Sequence, residues 1–111
     1  MNTGRKYIKI ETTFEKREEA AKLAELILDA KLAGCAQIVE IGSVYNWEGK
    51  RCRDKEYLLT LKTRAELFSE CEAFIKKHHS YKVPQIIATE IVFGSKDYFD
   101  WIDKNTCVNG K

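Results

Sequence analysis

The sequence lacks several features that would point at once to a common class of protein. Its 111 residues include a single proline, and the six glycines are scattered, with neither a P-loop nor a dinucleotide-binding glycine pattern. No apolar run approaches the roughly 18 residues that a membrane helix requires. The net charge of +2 is close to balance and is spread along the chain. These absences argue against phosphate-cradling enzymes, transmembrane proteins and proteins that bind nucleic acid through a basic surface.

The cysteines are far apart in the sequence and form no recognisable motif. None of the four cysteines belongs to a C-x-x-C pair, so we expect free thiols rather than a zinc knuckle or a redox pair. The opening residues, MNTGRKYIKI, lack the apolar segment of a signal peptide. We therefore expect a single domain over residues 1–111 of a cytoplasmic protein that binds neither membranes nor nucleic acid.

What the sequence does contain is a clear apolar periodicity, which predicts the order of strands and helices. The predicted strands are Lys6–Thr13, Ala36–Trp47, Arg51–Thr63 and Gln85–Phe93. The predicted helices run from about Lys16 to Ala33, from the segment Thr63–Glu66 to His78, and from Ser95 through Ile102. The second and third strands are longer than usual and form a hairpin that we expect to project beyond the sheet.

Local signals define where these elements begin and end. Gly34 follows the first helix where a left-handed cap is expected, and Thr63–Glu66 fits a capping box for the second. Glu48-Gly49 predicts the tight turn of the hairpin, and Gly42 marks an expected bulge or bend within it. Ser95 is predicted to cap the last helix through its hydroxyl.

The order β-α-β-β-α-β with an extra C-terminal helix is that of a ferredoxin-like α+β sandwich. Right-handed crossovers place the first two helices on one face of the sheet. The strands nevertheless carry apolar residues on both faces, with Leu59 and Leu61 opposite Leu58, and Ile86 opposite Ile87. A second apolar face has to be covered, so the pattern favours self-association, with the long hairpin reaching a neighbour.

Several segments of the chain resemble the CutA family of divalent-cation tolerance proteins. They are GCAQI at 34–38, SVYNWEGK at 43–50, LKT at 61–63, HSYKVPQI at 79–86 and DYFDWI at 97–102. They follow one another in the order and spacing of the family from about Tyr7 to Asp103. The resemblance implies a ferredoxin-like homotrimer, similar in architecture to the PII signalling proteins, with a link to copper and other divalent ions.

The resemblance also implies a metal site. A copper-binding arrangement in the family combines a cysteine of the first strand with paired histidines, and the matching positions here are Glu11, His78 and His79. A carboxylate in place of the thiolate removes a soft ligand, so the predicted set suits Cu(II) or Zn(II) better than Cu(I). The structural alternative is that His78 ends an apolar helical stripe and His79 interacts with the C-terminal carbonyls and dipole of the helix.

Two further groups allow alternative interpretations. The hairpin tip, with Tyr45, Trp47, Glu48 and Lys50, either binds a ligand or, more commonly for aromatic residues at a projecting tip, enters an oligomer interface. Lys62 either meets an anion between subunits, beside Cys35 and Tyr81, or is a solvated strand lysine. The leading hypothesis is a trimeric divalent-metal (copper) binding protein that is not an enzyme, and the alternative is a PII-like sensor of a small anionic metabolite. No nucleophile motif supports a hydrolase, and the strand motif of RNA-recognition modules is absent.

Overall fold

The computed structural model of the chain describes residues Lys6–Val108, and the ends of the predicted domain lie outside the described residues. The strands are β1 (Tyr7–Phe14), β2 (Cys35–Trp47), β3 (Lys50–Arg64) and β4 (Ile87–Ile91). The helices are α1 (Arg17–Asp29), α2 (Phe68–His78) and α3 (Lys96–Lys104), with a 3-10 turn at Ala65–Leu67 before α2. The predicted ferredoxin-like α+β order with its C-terminal helix is confirmed. None of the helices in this range is long and apolar enough to cross a membrane.

The four strands form one antiparallel sheet in the order β2-β3-β1-β4. Strand β1 pairs with β3 only as far as Tyr57, whereas β2 and β3 pair without interruption from Cys35 opposite Lys62 to Trp47 opposite Lys50. Among residues 6–108, therefore, no third strand pairs with the outer part of the hairpin. It projects from the sheet, as predicted, and stretches the molecule to 46 × 26 × 20 Å.

The two faces of the sheet are covered differently. On one, here called the helix face, Ile10, Leu59 and Leu61 are fully buried in the core that α1 and α2 close. Because successive side chains of a strand point to opposite sides, the intervening residues form the other face, here called the open face. On the open face Leu58 is half-buried and Ile87 is 53% exposed. The predicted apolar residues on both faces are present, and the open face is partly uncovered in the single chain.

Helix α3 covers one end of the open face. The ring of Phe99 stacks on that of Tyr7 in β1, with the ring centroids 4.1 Å apart. The guanidinium of Arg64, at the end of β3, donates a hydrogen bond of 2.7 Å to the carbonyl of Asp103. These contacts fix the C-terminal helix to the strand ends furthest from the projecting hairpin, so the open face beside the hairpin stays accessible.

Helix α1 ends earlier than predicted, because Lys31 adopts a left-handed conformation with a φ of 63°. The N–H groups of Lys31 and Leu32 donate to the carbonyls of Leu28 and Ile27, which is the Schellman arrangement at a helix end. The predicted left-handed cap at Gly34 is therefore wrong. A Cβ atom at Gly34 would lie 3.4 Å from the Cα atom of Ile102 in α3, which is ordinary van der Waals contact.

Two other local predictions are wrong and two are confirmed. Thr63 is no capping residue, because it lies within β3 and its hydroxyl donates to the carbonyl of Leu32 at 2.7 Å. Gly42 forms no bulge, since the register between β2 and β3 continues unbroken through it. The hairpin turn does lie at Glu48-Gly49, with φ values of 50° and 77°. Ser95 caps α3 by accepting a hydrogen bond of 3.2 Å from the backbone three residues on.

Candidate functional site

His78 is the last residue of α2 and its side chain is exposed. Its ring is tilted against that of Phe74, one helical turn earlier, with the ring centroids 4.6 Å apart. The imidazole therefore continues the stripe of α2, as the structural alternative predicts, but it does so at the surface rather than in the core. An exposed imidazole at a helix end is accessible to a metal ion.

His79 follows directly and has a different environment. Its Nε2 atom lies 2.8 Å from the carbonyl oxygen of Thr13, and its Nδ1 atom accepts a hydrogen bond of 3.0 Å from the backbone N–H of Tyr81. Because a carbonyl can only accept, Nε2 carries the proton and the imidazole is neutral. The ring also stacks on Phe14, with centroids 4.2 Å apart. The contacts of His79 therefore run to β1 and to the following loop. The structural alternative predicts contacts with the C-terminal carbonyls of α2 instead, and on this point it is wrong.

The electrostatics around His79 agree with a neutral ring. Burial lowers its pKa below the ordinary value of 6.5, and the bond to the Thr13 carbonyl and the carboxylates of Glu19 and Glu56 oppose this effect. A metal ion would have to displace one of the two hydrogen bonds to reach a ring nitrogen. His79 is thus primarily a link between β1 and the loop after α2.

Glu11 lies in the middle of β1, beside Ile87 of β4. Since Ile10 points into the helix-face core, Glu11 points to the open face. His79, in contrast, packs against Phe14, which belongs to the core on the helix face. Within the single chain Glu11 and the two histidines therefore lie on opposite sides of the sheet. Residues 6–108 contain no cluster of three or more His, Cys, Asp or Glu side chains that could hold a metal ion.

A cleft of about 620 Å³ opens where the hairpin meets the loop between α2 and β4. Tyr45, Trp47 and Glu56 line it from the hairpin, and Tyr81 and its neighbours line it from the loop. Glu56 is only 6% exposed, and its Oε2 atom accepts a hydrogen bond of 2.7 Å from the hydroxyl of Tyr81. The hydroxyl of Tyr45 donates to the carboxylate of Asp54 on the same strand pair.

Both phenols of the cleft are held in their protonated form. The hydrogen bond to Asp54 raises the pKa of Tyr45 to about 12, while burial and the bond to Glu56 raise the pKa of Tyr81 above its ordinary value. At neutral pH these groups act as hydrogen-bond donors and not as phenolate ligands. The cleft therefore offers aromatic surface, hydroxyl groups and one buried carboxylate, with Lys82 as an exposed cation in its wall.

Lys62 is only partly in the predicted environment. It lies opposite Cys35 on the open face, as expected, but the aromatic side chain near it is Tyr98 of α3, whose ring centre is 5.7 Å from the lysine nitrogen. Tyr81 belongs to the cleft instead. The hydrogen bond between Tyr81 and Glu56 was not predicted from the sequence. The available signal was that Glu56 lies on the same partly apolar face of β3 as Leu58, where a glutamate needs a polar partner.

Comparisons with known proteins are consistent over nearly the whole chain. Residues 8–105 match the family described as CutA1 divalent ion tolerance protein. The chain is 42% identical over 100 residues to the chloroplastic Protein CutA of Arabidopsis thaliana, covering 89% of this chain and 55% of that relative. It is 42% identical over 87 residues to the divalent-cation tolerance protein CutA of Archaeoglobus fulgidus, covering 78% of this chain and 85% of that relative. The crystal structure of CutA1 from Oryza sativa matches with a TM-score of 0.89 at 39% identity, covering 92% of this chain and 94% of that one.

Proposed function

This chain belongs to the CutA1 divalent ion tolerance family, and on that premise we propose that it is a homotrimer that binds divalent cations, with copper as the expected ion. The observation that carries the proposal is the exposed imidazole of His78 at the end of α2, directly before that of His79. Imidazole nitrogens suit Cu(II) and Zn(II). The proposed role is binding and tolerance in the cytoplasm, with no catalytic step.

The open face supports the trimer. Val39 and Ile87 are each 53% exposed, and Phe93, just after β4, is 90% exposed. Strands β2 and β4 are the edges of the sheet, so each presents unpaired backbone groups to which another chain can add. Packing of further copies against this surface would bury the apolar side chains. Light scattering at micromolar concentration tests this part: we expect the mass of a trimer, and the mass of a monomer would contradict it.

The proposed ligands are His78, His79 and Glu11, and they are not equivalent. His78 is exposed, so it can bind an ion without breaking a contact of the fold. His79 has to exchange its hydrogen bond with Thr13 or Tyr81 for the metal. Because Glu11 lies on the open face, it joins an imidazole in a common site only if residues of more than one protomer contribute. We therefore expect His78 to dominate the affinity.

Calorimetric titrations with Cu(II) and Zn(II) test the ligand set. Replacement of His78 by Ala is expected to weaken Cu(II) binding by at least about tenfold, as loss of a ligand or of its immediate support does in metal sites. Glu11→Gln and His79→Ala should have smaller effects. Glu25→Gln is the matched control, because this glutamate is exposed on α1. Identical isotherms for the wild type and all three site variants would remove the proposed site.

The second candidate function is a PII-like sensor that binds a small anionic metabolite between subunits. Its support is limited to Lys82 in the cleft wall and Lys62 on the open face. A thermal-shift screen with nucleotides and organic anions tests it, because a ligand specific for the folded trimer raises the apparent Tm. A set of anions that leaves Tm unchanged would exclude this alternative for those compounds.

A further inference from the structure

Glu56 is a buried carboxylate that lacks a cationic partner in the part of the chain that the structure describes. It is 6% exposed, its carboxylate accepts the hydroxyl of Tyr81, and none of the ion pairs within residues 6–108 includes it. Removing a carboxylate from water is costly, so buried charges in proteins are generally paired. Because Glu56 lines the cleft, a cation bound there would supply the missing partner.

The walls around Glu56 are aromatic. Tyr45, Trp47 and Tyr81 line the same cleft, and the first two are 39% and 45% exposed. The face of an aromatic ring attracts a cation within about 6 Å of its centre, most strongly for an indole. Asp54, bonded to the hydroxyl of Tyr45, adds a second negative charge to this side of the hairpin.

Other classes of ligand fit the cleft less well. An anion could contact the exposed Lys82 in the cleft wall but would be repelled by the buried carboxylate of Glu56, and a divalent metal ion would find no cluster of three ligating side chains within the described residues. A neutral apolar molecule would leave the carboxylate buried without a partner. The volume of about 620 Å³ is that of a small-molecule site, for which about 300–1,000 Å³ is usual.

We propose that this cleft binds a small organic ammonium ion, with the cationic group against the carboxylate of Glu56 and the rings of Tyr45, Trp47 and Tyr81. The aromatic rings supply contact area that is tolerant of the exact alkyl substituents, and the carboxylate supplies the charge preference. The site uses none of the proposed metal ligands Glu11, His78 and His79. In the metal-free protein it is therefore tested separately from the proposed metal-binding function.

The charge preference is tested with two probes that differ only in charge. Choline and its neutral carbon isostere, in which a tert-butyl group replaces the trimethylammonium group, are titrated into the metal-free full chain by calorimetry. We expect choline to bind at least about tenfold more tightly than the isostere, because only choline makes the cation–π and carboxylate interactions. Equal affinities for the two probes, or no binding of choline, would overturn the proposal.

Variants locate the binding. Glu56→Gln keeps the shape and the hydrogen bond to Tyr81 but removes the charge, so it should reduce the preference for choline several-fold and leave the part due to the aromatic rings, whereas Glu25→Gln on α1 should leave the preference unchanged. Trp47→Leu provides a second variant on the exposed hairpin, with Trp101→Leu on α3 as its control. We expect several-fold weaker choline binding only for the change at Trp47. Unchanged affinity in both Glu56→Gln and Trp47→Leu would show that choline binds elsewhere.

Discussion

The replacement of His79 by Ala distinguishes a histidine that maintains the fold from one that only binds metal. The change removes the donor to the Thr13 carbonyl, the acceptor for the N–H of Tyr81 and the ring that stacks on Phe14. The neighbouring His78→Ala is the matched control, because that side chain is exposed and contacts mainly Phe74. Both variants lose one imidazole, but only the first loses contacts that join separate elements.

The expected cost follows from those contacts. Each hydrogen bond contributes about 0.5–1.5 kcal/mol and the stacked pair about 0.5–1.5 kcal/mol beyond its buried area. Because the side chain of His79 is only half-buried, water can replace part of what is lost, so we expect about 2 kcal/mol in total for His79→Ala. For His78→Ala we expect no more than about 0.5 kcal/mol, as for other surface changes.

Urea denaturation of the metal-free protein, at one fixed protein concentration, measures both costs. The pH dependence gives an independent check. Since burial lowers the pKa of His79 in the folded state, the stability it contributes is present above its ordinary pKa of 6.5 and is lost as the pH falls through the lower value of the folded state. As the pH falls below 6.5, the wild type should therefore lose more stability than His79→Ala. Equal costs for the two variants, with parallel pH profiles, would refute the structural role of His79.

Three further expected outcomes rest on local geometry. Lys31→Gly should raise the free energy of unfolding by about 1 kcal/mol in urea denaturation, because glycine adopts the left-handed conformation without strain, and a lower value would contradict the Schellman cap. Gly94→Ala should lower the free energy of unfolding by about 1–3 kcal/mol, because the new Cβ would lie 2.6 Å from the ring of Phe99. Gly42→Ala is the control and should cause no such loss, because the space around Gly42 is open. Burial raises the pKa of Cys71 to about 12, so in alkylation assays on the native protein this thiol should react far more slowly than the half-buried other three.

The strands and the hairpin could be predicted because their cause is local and repeats along the chain. Alternation assigned Leu59 and Leu61 to one face and Leu58 to the other, and the structure agrees. The dipeptide Glu48-Gly49 marked the turn for an equally local reason, the need for positive φ. The same reasoning was misleading at the end of α1, where Lys31 takes the left-handed position. Tertiary packing of the next residue, Leu32, into the core compensates the strain there.

The capping box at Thr63–Glu66 shows a different reason for error. The four residues fit the capping-box pattern, but Thr63 pairs with β1 in the sheet, and its hydroxyl donates a hydrogen bond to the carbonyl of Leu32. When a side chain could make either a local or a tertiary hydrogen bond, the fold decides which one forms. The local sequence does not reveal that choice. Helix α2 consequently begins after a 3-10 turn rather than at a side-chain cap.

The candidate sites were harder to predict, because their residues meet only through the fold. The family resemblance assigned His78 and His79 to one site, yet one is exposed at the end of α2 and the other stacks on Phe14. Glu56 and Tyr81 are 25 positions apart and meet because the loop after α2 passes the base of the hairpin. No periodicity of the sequence reports that approach.

His79 and Tyr81 connect the proposed metal position with the proposed ammonium site. Nδ1 of His79 accepts the backbone N–H of Tyr81, whose hydroxyl in turn donates to Glu56. A metal ion on His79 must break this bond or the one to the Thr13 carbonyl, and either exchange disturbs the loop that forms one wall of the cleft. By linkage, copper and choline would then change one another's affinity by the same factor. Choline affinity that stays constant in saturating Cu(II) would instead assign the metal to His78 without His79, since the exposed ring of His78 does not contact the cleft.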